Sequence, residues 1–131
     1  MTQKIRDTIE RYVELVGSGP TQGIVDLYTE DATVEDPIGT PLRRGHEAIR
    51  EFYSVFESLD RSTELRTDTV RIAGNHAAFM FDVVTVHGDQ RFTVTPIDVM
   101  EFDEDGRIED GRIVRMRAYW NPEQDMRAEP A

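Results

Sequence analysis

The sequence predicts an α+β domain in which three N-terminal helices pack on one face of a curved antiparallel β-sheet. Before Ser62, apolar residues recur mainly at helical spacing, whereas after it they alternate as they do in strands. The turn pairs Gly74-Asn75, Gly88-Asp89 and Asp105-Gly106 separate the strand-like runs, which favours a meander of neighbouring strands. Such a layered fold places the expected ligand site in a cone-shaped pocket between the helices and the sheet.

Each helix is predicted from apolar or aromatic residues three or four positions apart, which share one helix face. Residues 17–20, Gly-Ser-Gly-Pro, end the first helix. The three stripes are, in chain order, Ile5, Ile9, Tyr12, Val13 and Val16; Ile24, Leu27 and Tyr28; and Ile49, Phe52, Tyr53 and Phe56.

The strands are predicted from alternating side chains. A short strand ends at Asp36, because a residue before proline favours extended geometry. The longer strands are predicted at 63–73, 77–87, 91–103 and 113–120, followed by a polar tail at 122–131. Residues 104–108, Glu-Asp-Gly-Arg-Ile, recur at once as residues 109–113, and we expect this repeat in a hairpin loop or a bulge.

Composition limits the classes of function. With 131 residues the chain is expected to form one domain, and its net charge of -11 disfavours nucleic acid, anionic membranes and phosphorylated substrates. A neutral small molecule is the expected partner. The chain has no cysteine, which excludes disulfides and thiolate chemistry, and its histidines are scattered, so no metal site is predicted. The first residues lack the apolar stretch of a signal peptide, and we expect a cytoplasmic protein.

Two aspartates occupy positions where an apolar side chain is expected. Alternation puts Asp36 on the same face as Ala32 and Val34, and Asp98 on the same face as Val94 and Met100. A carboxylate among apolar neighbours is costly unless it is paired or protonated, and such positions are where pKa values are shifted for catalysis. Either aspartate alone also fits a structural role at a strand end or a bond to the backbone.

Three tyrosines, Tyr12, Tyr28 and Tyr53, face inward on the predicted helices, and a buried phenol normally finds a hydrogen-bond partner. They fit either an amphipathic core or a chain of hydroxyls that ends in a strong donor beside Asp98. One free carboxylate and two neutral donors could together remove a proton next to a carbonyl and stabilise the enolate. This chemistry requires neither a metal nor a cofactor.

Several stretches resemble the bacterial ketosteroid isomerases, within the nuclear-transport-factor-2-like (cystatin-like) fold group. The likeness covers nearly the whole chain, and the combination of Tyr12, Asp36 and Asp98 is its most specific part. The matching stretches are residues 11–16, Arg-Tyr-Val-Glu-Leu-Val; 31–37, Asp-Ala-Thr-Val-Glu-Asp-Pro; 45–49, Gly-His-Glu-Ala-Ile; 97–100, Ile-Asp-Val-Met; and 118–120, Ala-Tyr-Trp. The second copy of the repeated pentapeptide departs from the family pattern.

The resemblance implies a steroid Δ-isomerase without a cofactor, acting on β,γ-unsaturated 3-oxosteroids through a dienolate. It implies that Asp36 is the base and that Tyr12 and a protonated Asp98 form the oxyanion hole. Tyr53 and Tyr28 correspond to the supporting hydrogen-bond network. The residues that correspond to the substrate pocket are Phe52, Phe81, Met116 and Trp120, and the family implies a homodimer through the sheet.

Two other kinds of function remain open. One is a dehydratase, cyclase or epoxide hydrolase on the same scaffold, although the inward positions carry neither the histidine expected of the dehydratase nor the arginine expected of the epoxide hydrolase. The other is a binder of apolar ligands without turnover, since a fold does not fix a function. A free base in an apolar pocket argues against the binder.

Overall fold

The computed structural model of the chain describes residues 2–103 and 111–131, and it confirms the predicted α+β class. The described residues form three helices and eight strands, and none of these helices is long and apolar enough to cross a membrane. The elements are α1 (Thr2–Ser18), α2 (Thr21–Val25), β1 (Tyr28–Glu35), β2 (Arg43–Arg44), α3 (His46–Ser54), β3 (Asp60–Ala73), β4 (His76–His87), β5 (Gln90–Val94), β6 (Ile97–Phe102), β7 (Ile113–Tyr119) and β8 (Met126–Pro130).

The strands form one mixed, mostly antiparallel sheet in the order β2-β1-β7-β6-β4-β5-β8. Strand β3 lies off this path and pairs with β4. The exception to the antiparallel pattern is the β1–β7 pair, which is parallel. The predicted turns at 74–75 and 88–89 are confirmed, and Gly74 and Gly88 adopt the positive φ angles that glycine accommodates without strain.

The strand predicted at 91–103 is instead two strands, β5 and β6. Thr95 and Pro96 separate them, and proline cannot donate a backbone hydrogen bond to a neighbouring strand. The first half of β4 pairs with β6 and the second half pairs with β5. This division lets both short strands face the same cavity from adjacent parts of the sheet.

Helix α1 is fixed to the sheet by its buried stripe and by polar contacts at its C-terminus. The predicted stripe from Ile5 to Val16 is buried, as expected. The Thr63 hydroxyl donates to the Val13 carbonyl oxygen at 2.6 Å. The Arg61 guanidinium donates to the carbonyl oxygens of Val16 at 2.6 Å and Gly19 at 3.1 Å. A cation that binds these terminal carbonyls stabilises the helix end and so holds the helix that carries Tyr12.

Two local predictions are wrong. Tyr28 begins β1 instead of continuing the second helix, because α2 ends at Val25 and Leu27 accepts a backbone bond from Ile113 in β7. Residues 122–131 are polar and exposed but do not remain an unpaired tail, since Met126–Pro130 forms β8 along β5.

The repeated pentapeptide lies largely outside the described residues, which resume at Gly111, so the predicted loop or bulge at 104–110 and the turn at 105–106 stay predictions. On the described side, the register of β6 and β7 shifts between Glu101 and Phe102. As a result Ile113 and Met116 are both buried, whereas Val114 borders an outer groove. The alternation of faces predicted for the strand at 113–120 is therefore interrupted at Val114.

Candidate active site

An apolar cavity of about 240 Å³ lies between the helices and the sheet. Its polar lining groups include the side chains of Asp36, Asp98, Tyr12, Tyr53 and Trp120. The remaining lining residues are Val16, Phe56, Leu59, Phe81, Val83, Thr85, Phe92, Val94, Pro96 and Met126. The two aspartates singled out by alternation thus meet in one cavity although 62 positions separate them in the chain.

Asp98 is held at the centre of the sheet. Strand β6 is flanked by β4 and β7, and Asp98 lies opposite Phe79 on one side and Ala118 on the other. Its relative exposure is 1%, and neither carboxyl oxygen has a hydrogen-bond partner among the described residues. An ionised carboxylate would be very unfavourable under these conditions.

The pKa of Asp98 is therefore raised well above its usual value, first by burial and then by the negative charge of Asp36. The Tyr12 hydroxyl is near enough to oppose this rise in part, without a hydrogen bond of ordinary geometry to either carboxyl oxygen. These surroundings favour the protonated form of Asp98, whose O–H group can donate into the cavity.

Asp36 has different surroundings. It follows β1 directly, is partly exposed, and accepts a hydrogen bond from the Trp120 indole N–H at 2.8 Å on Oδ1. The pKa of Asp36 is raised above its usual value, because burial outweighs the Trp120 bond and the positive charge of Arg43, which both lower it. The loop after Asp36 is tied to β7, because the backbone N–H of Ile38 donates to the Ala118 carbonyl at 2.9 Å.

The three tyrosines form one buried hydroxyl chain. Tyr53 lies between the other two, with hydroxyl distances of 2.9 Å to Tyr12 and 2.7 Å to Tyr28. Burial is the largest cause that raises the pKa of each phenol well above its usual value, so all three stay neutral. The predicted hydroxyl chain thus exists, although Tyr28 joins it from a strand instead of a helix.

A count of protons shows in which direction the hydrogen bonds of the hydroxyl chain run. Each hydroxyl has one hydrogen to donate. If Tyr12 donates into the cavity, Tyr53 must donate to Tyr12, and Tyr28 must then donate to Tyr53. The Tyr12 ring is held in edge contact with Phe79 and Phe81 at centroid distances of 6.4 and 6.0 Å. The geometry therefore allows Tyr12 to present a neutral donor on the same side of the cavity as Asp98.

The expected pocket wall is only half present. Phe81 and Trp120 line the cavity, whereas Phe52 and Met116 are absent from its described lining. Met116 is fully buried in the core, and Phe52 borders a separate hollow together with Arg43. Phe52 lies next to Tyr53 in α3, so its ring is on a different side of the helix from the cavity.

Several lining residues were not predicted as site residues. Strand alternation predicts that Val94 shares the face of Asp98, and Val16 and Phe56 belong to the predicted apolar stripes of helices, so a signal existed for these three. Met126 had none, because it lies in a segment that reads as a polar tail and reaches the cavity only through the β5–β8 pairing.

Comparison with known proteins adds independent information. The model of the SnoaL-like domain matches residues 9–116. The chain belongs to the SnoaL-like family. A steroid Δ-isomerase from Nocardioides simplex is 45% identical over 131 residues, which is the full length of both chains. This relationship puts our SnoaL-like chain in the isomerase class and confirms the resemblance drawn from its sequence.

A solved structure shows the same fold. The epoxide hydrolase/cyclase-like enzyme SalBIII, described for pyran ring formation in the polyether salinomycin, superposes with a TM-score of 0.82 over 95% of each chain. The sequence identity is 24%, so this likeness speaks for the nuclear-transport-factor-2-like fold and not for a shared reaction. In the part of this SnoaL-like chain that the structure describes, no three His, Cys, Asp or Glu side chains gather as a metal site would require.

Proposed function

We propose that the chain is a steroid Δ-isomerase that shifts the double bond of β,γ-unsaturated 3-oxosteroids into conjugation with the ketone, without a cofactor. The single observation that carries the proposal is the pair of aspartates in one apolar cavity. Asp36 has a hydrogen-bond donor and a nearby cation, whereas Asp98 has neither. Their environments suit one base and one acid.

The base acts first. The Asp36 carboxylate takes a proton from the carbon between the ketone and the double bond. The electron pair of the broken C–H bond moves through the conjugated system to the ketone oxygen, which gives a dienolate. Partial exposure leaves Asp36 able to carry its charge, and the Trp120 N–H holds one carboxyl oxygen and leaves the other for the proton.

The developing negative charge falls on the substrate oxygen, where Tyr12 and protonated Asp98 donate hydrogen bonds. Both groups are neutral before reaction and buried in an apolar setting, so their donation is worth more than it would be in water. The neutral Asp36 acid then returns its proton to the γ carbon, and the C=C bond re-forms between the α and β carbons. The proton is conserved and no oxidant, reductant or water is consumed.

The other reactions considered for this scaffold have less support. The residues described as lining the cavity include no histidine or arginine, which the dehydratase and epoxide-hydrolase alternatives require. A ligand binder without turnover would leave two unpaired carboxyl oxygens of Asp98 with no evident purpose. The 45% identity to a steroid Δ-isomerase adds support from outside the structure.

The homodimer implied by the family is part of the proposal. On the outer face, Ile97 and Tyr119 lie opposite each other in neighbouring strands, and both are large apolar residues with more than two fifths of their surface exposed. Adjacent exposed apolar side chains of this kind favour burial against a second surface.

The test is the growth of conjugated-enone absorbance during incubation with a β,γ-unsaturated 3-oxosteroid. Wild type should turn over rapidly, and Asp36→Asn should lose roughly 10²- to 10⁴-fold in rate, the usual contribution of a general base. Asp31→Asn is the matched control, because Asp31 is an exposed aspartate of β1, the strand that leads to Asp36, and should keep full activity.

Two outcomes would contradict the proposal. Equal turnover by wild type and Asp36→Asn would move the base elsewhere. No turnover by wild type, combined with tight binding of a phenolic steroid, would identify the chain as a binder.

A further inference from the structure

Two neighbouring arginines in β2 point to opposite sides of the sheet. Arg43 lies directly opposite Val34, and Arg44 lies opposite Thr33. Partners that lie opposite each other in adjacent strands project to the same side. Val34 is fully buried on the inner side, and Asp36 follows it by two positions, so Arg43 shares its side with Asp36. Arg44 instead borders the outer groove together with Thr33.

The guanidinium of Arg43 rests on an aromatic ring instead of a carboxylate. Its central carbon is 4.4 Å from the centroid of the Phe52 ring, a favourable cation–π distance. One of its N–H groups donates a long bond of 3.4 Å to the Pro41 carbonyl oxygen. Among the described residues, no carboxylate oxygen lies within 4 Å of it. Its positive charge is therefore not cancelled by an ion pair there.

Phe52 connects Arg43 to a residue that lines the cavity. Its ring packs edge-on against the Tyr53 ring with centroids 4.9 Å apart, and Tyr53 belongs to the cavity. The ring of Phe52 thus joins the hydroxyl chain on one side to the Arg43 cation on the other. Phe52 therefore contacts both Tyr53, which lines the cavity, and Arg43, although it does not line the cavity itself.

We propose that Arg43, seated on Phe52, is a positioning residue that keeps Asp36 ionised and ready to act as the base. The inference rests on the proposed function for its catalytic meaning, but not for its electrostatics. Burial raises the pKa of Asp36, and the positive charge of Arg43 acts in the opposite direction. Without this cation, a larger fraction of Asp36 would be protonated at a given pH and unable to accept a proton.

The other groups around Asp36 do not replace this charge. Trp120 contributes a neutral N–H, and Asp98 and the buried tyrosines carry no positive charge. Glu35 and Arg117 lie opposite each other in β1 and β7, and both border the outer groove. They therefore face away from the cavity.

The test uses the single tryptophan of the chain as a reporter that needs no turnover. Because the Trp120 indole donates to Asp36, its fluorescence should titrate with the protonation of that carboxyl. The midpoint is assigned by its disappearance in Asp36→Asn. Arg43→Met should shift the midpoint to higher pH, and Arg43→Lys should restore most of the wild-type value. Phe52→Leu should give a smaller shift in the same direction, since it removes the aromatic ring on which the Arg43 guanidinium packs.

Arg44→Met is the matched control, because it removes the same charge from the adjacent residue on the outer side. A midpoint shift in Arg43→Met that Arg44→Met does not reproduce supports the inference. Equal shifts in both variants, or none in Arg43→Met, would overturn it. Circular dichroism confirms that each variant is folded.

A parallel measurement of kcat/KM against pH separates the inference from the proposed function. If wild type isomerises a 3-oxosteroid, the acidic limb of its profile should move with the fluorescence midpoint. If wild type shows no turnover and yet Arg43→Met alone shifts the fluorescence, the proposed function fails while the electrostatic role of Arg43 stands.

Discussion

Asp36 and Asp98 are the same residue type in the same cavity, and yet their surroundings differ in almost every respect. Asp36 directly follows β1, the second strand from one edge of the sheet. It is partly exposed and accepts a hydrogen bond from Trp120. Asp98 lies in the middle of a central strand, is 1% exposed and has no hydrogen-bond partner among the described residues. The comparison teaches that two carboxyls in one cavity can differ in pKa because their hydrogen bonds, exposure and nearby charges differ.

The two carboxyls also act on each other. The negative charge of Asp36 further raises the pKa of Asp98, so ionisation of the first favours protonation of the second. This coupling favours a cavity that holds one negative charge and one acidic donor at the same time. An enolate-forming enzyme needs this combination, because two ionised carboxylates would repel the anion that forms.

After the loss expected for Asp36→Asn, the next largest effect concerns Tyr12, the proposed donor beside Asp98. Tyr12→Phe removes the hydroxyl that lines the cavity and should lower kcat by roughly 10²- to 10³-fold, the usual loss for one oxyanion donor. Tyr28→Phe is the matched control, since it removes a hydroxyl that is two hydrogen bonds away from Tyr12 in the hydroxyl chain. It should lower kcat much less. Steady-state kinetics of both variants make the measurement. Equal losses would contradict the assignment of Tyr12 as the terminal donor.

A smaller effect should appear in stability. Below the usual Asp pKa, residue 98 is protonated in both the folded and the unfolded chain. As the pH rises, the unfolded chain releases this proton first, which favours unfolding. The free energy of unfolding of wild type, relative to Asp98→Asn, should therefore fall with pH by at most about 1.4 kcal/mol per unit. The fall should stop once the pH exceeds the raised pKa of folded Asp98.

Chemical denaturation at a series of pH values measures this difference. Asp31→Asn provides the surface control, and its difference from wild type should not follow the same course. A wild-type stability that rises with pH relative to Asp98→Asn would mean that folded Asp98 ionises readily, and would remove the contrast with Asp36.

Short-range patterns were sufficient for much of the fold and for the main polar groups. The helical period of α1 predicted that Tyr12 lies on the buried side of the helix, and strand alternation put Asp98 on an apolar face. Both inferences depend only on side-chain direction along one element. The structure then brings these residues to one cavity, as the resemblance implied.

Other features depend on pairing between distant segments, which local patterns do not contain. Tyr28 continues a helical stripe in the sequence, but pairing with β7 makes it the start of a strand. Met126 reaches the cavity because β8 pairs with β5. Phe52 belongs to a stripe that was predicted to face inward. The contact of its ring with Arg43 depends on the position of a different segment, β2. These cases required tertiary structure.

The most direct measurement is the infrared spectrum of the carboxyl groups at neutral pH, for wild type, Asp36→Asn and Asp98→Asn. The account predicts a carbonyl band of a neutral carboxylic acid in wild type, which persists in Asp36→Asn and disappears in Asp98→Asn. Absence of this band in wild type, or its persistence in Asp98→Asn, would contradict the claim that the cavity holds one ionised aspartate and one protonated aspartate.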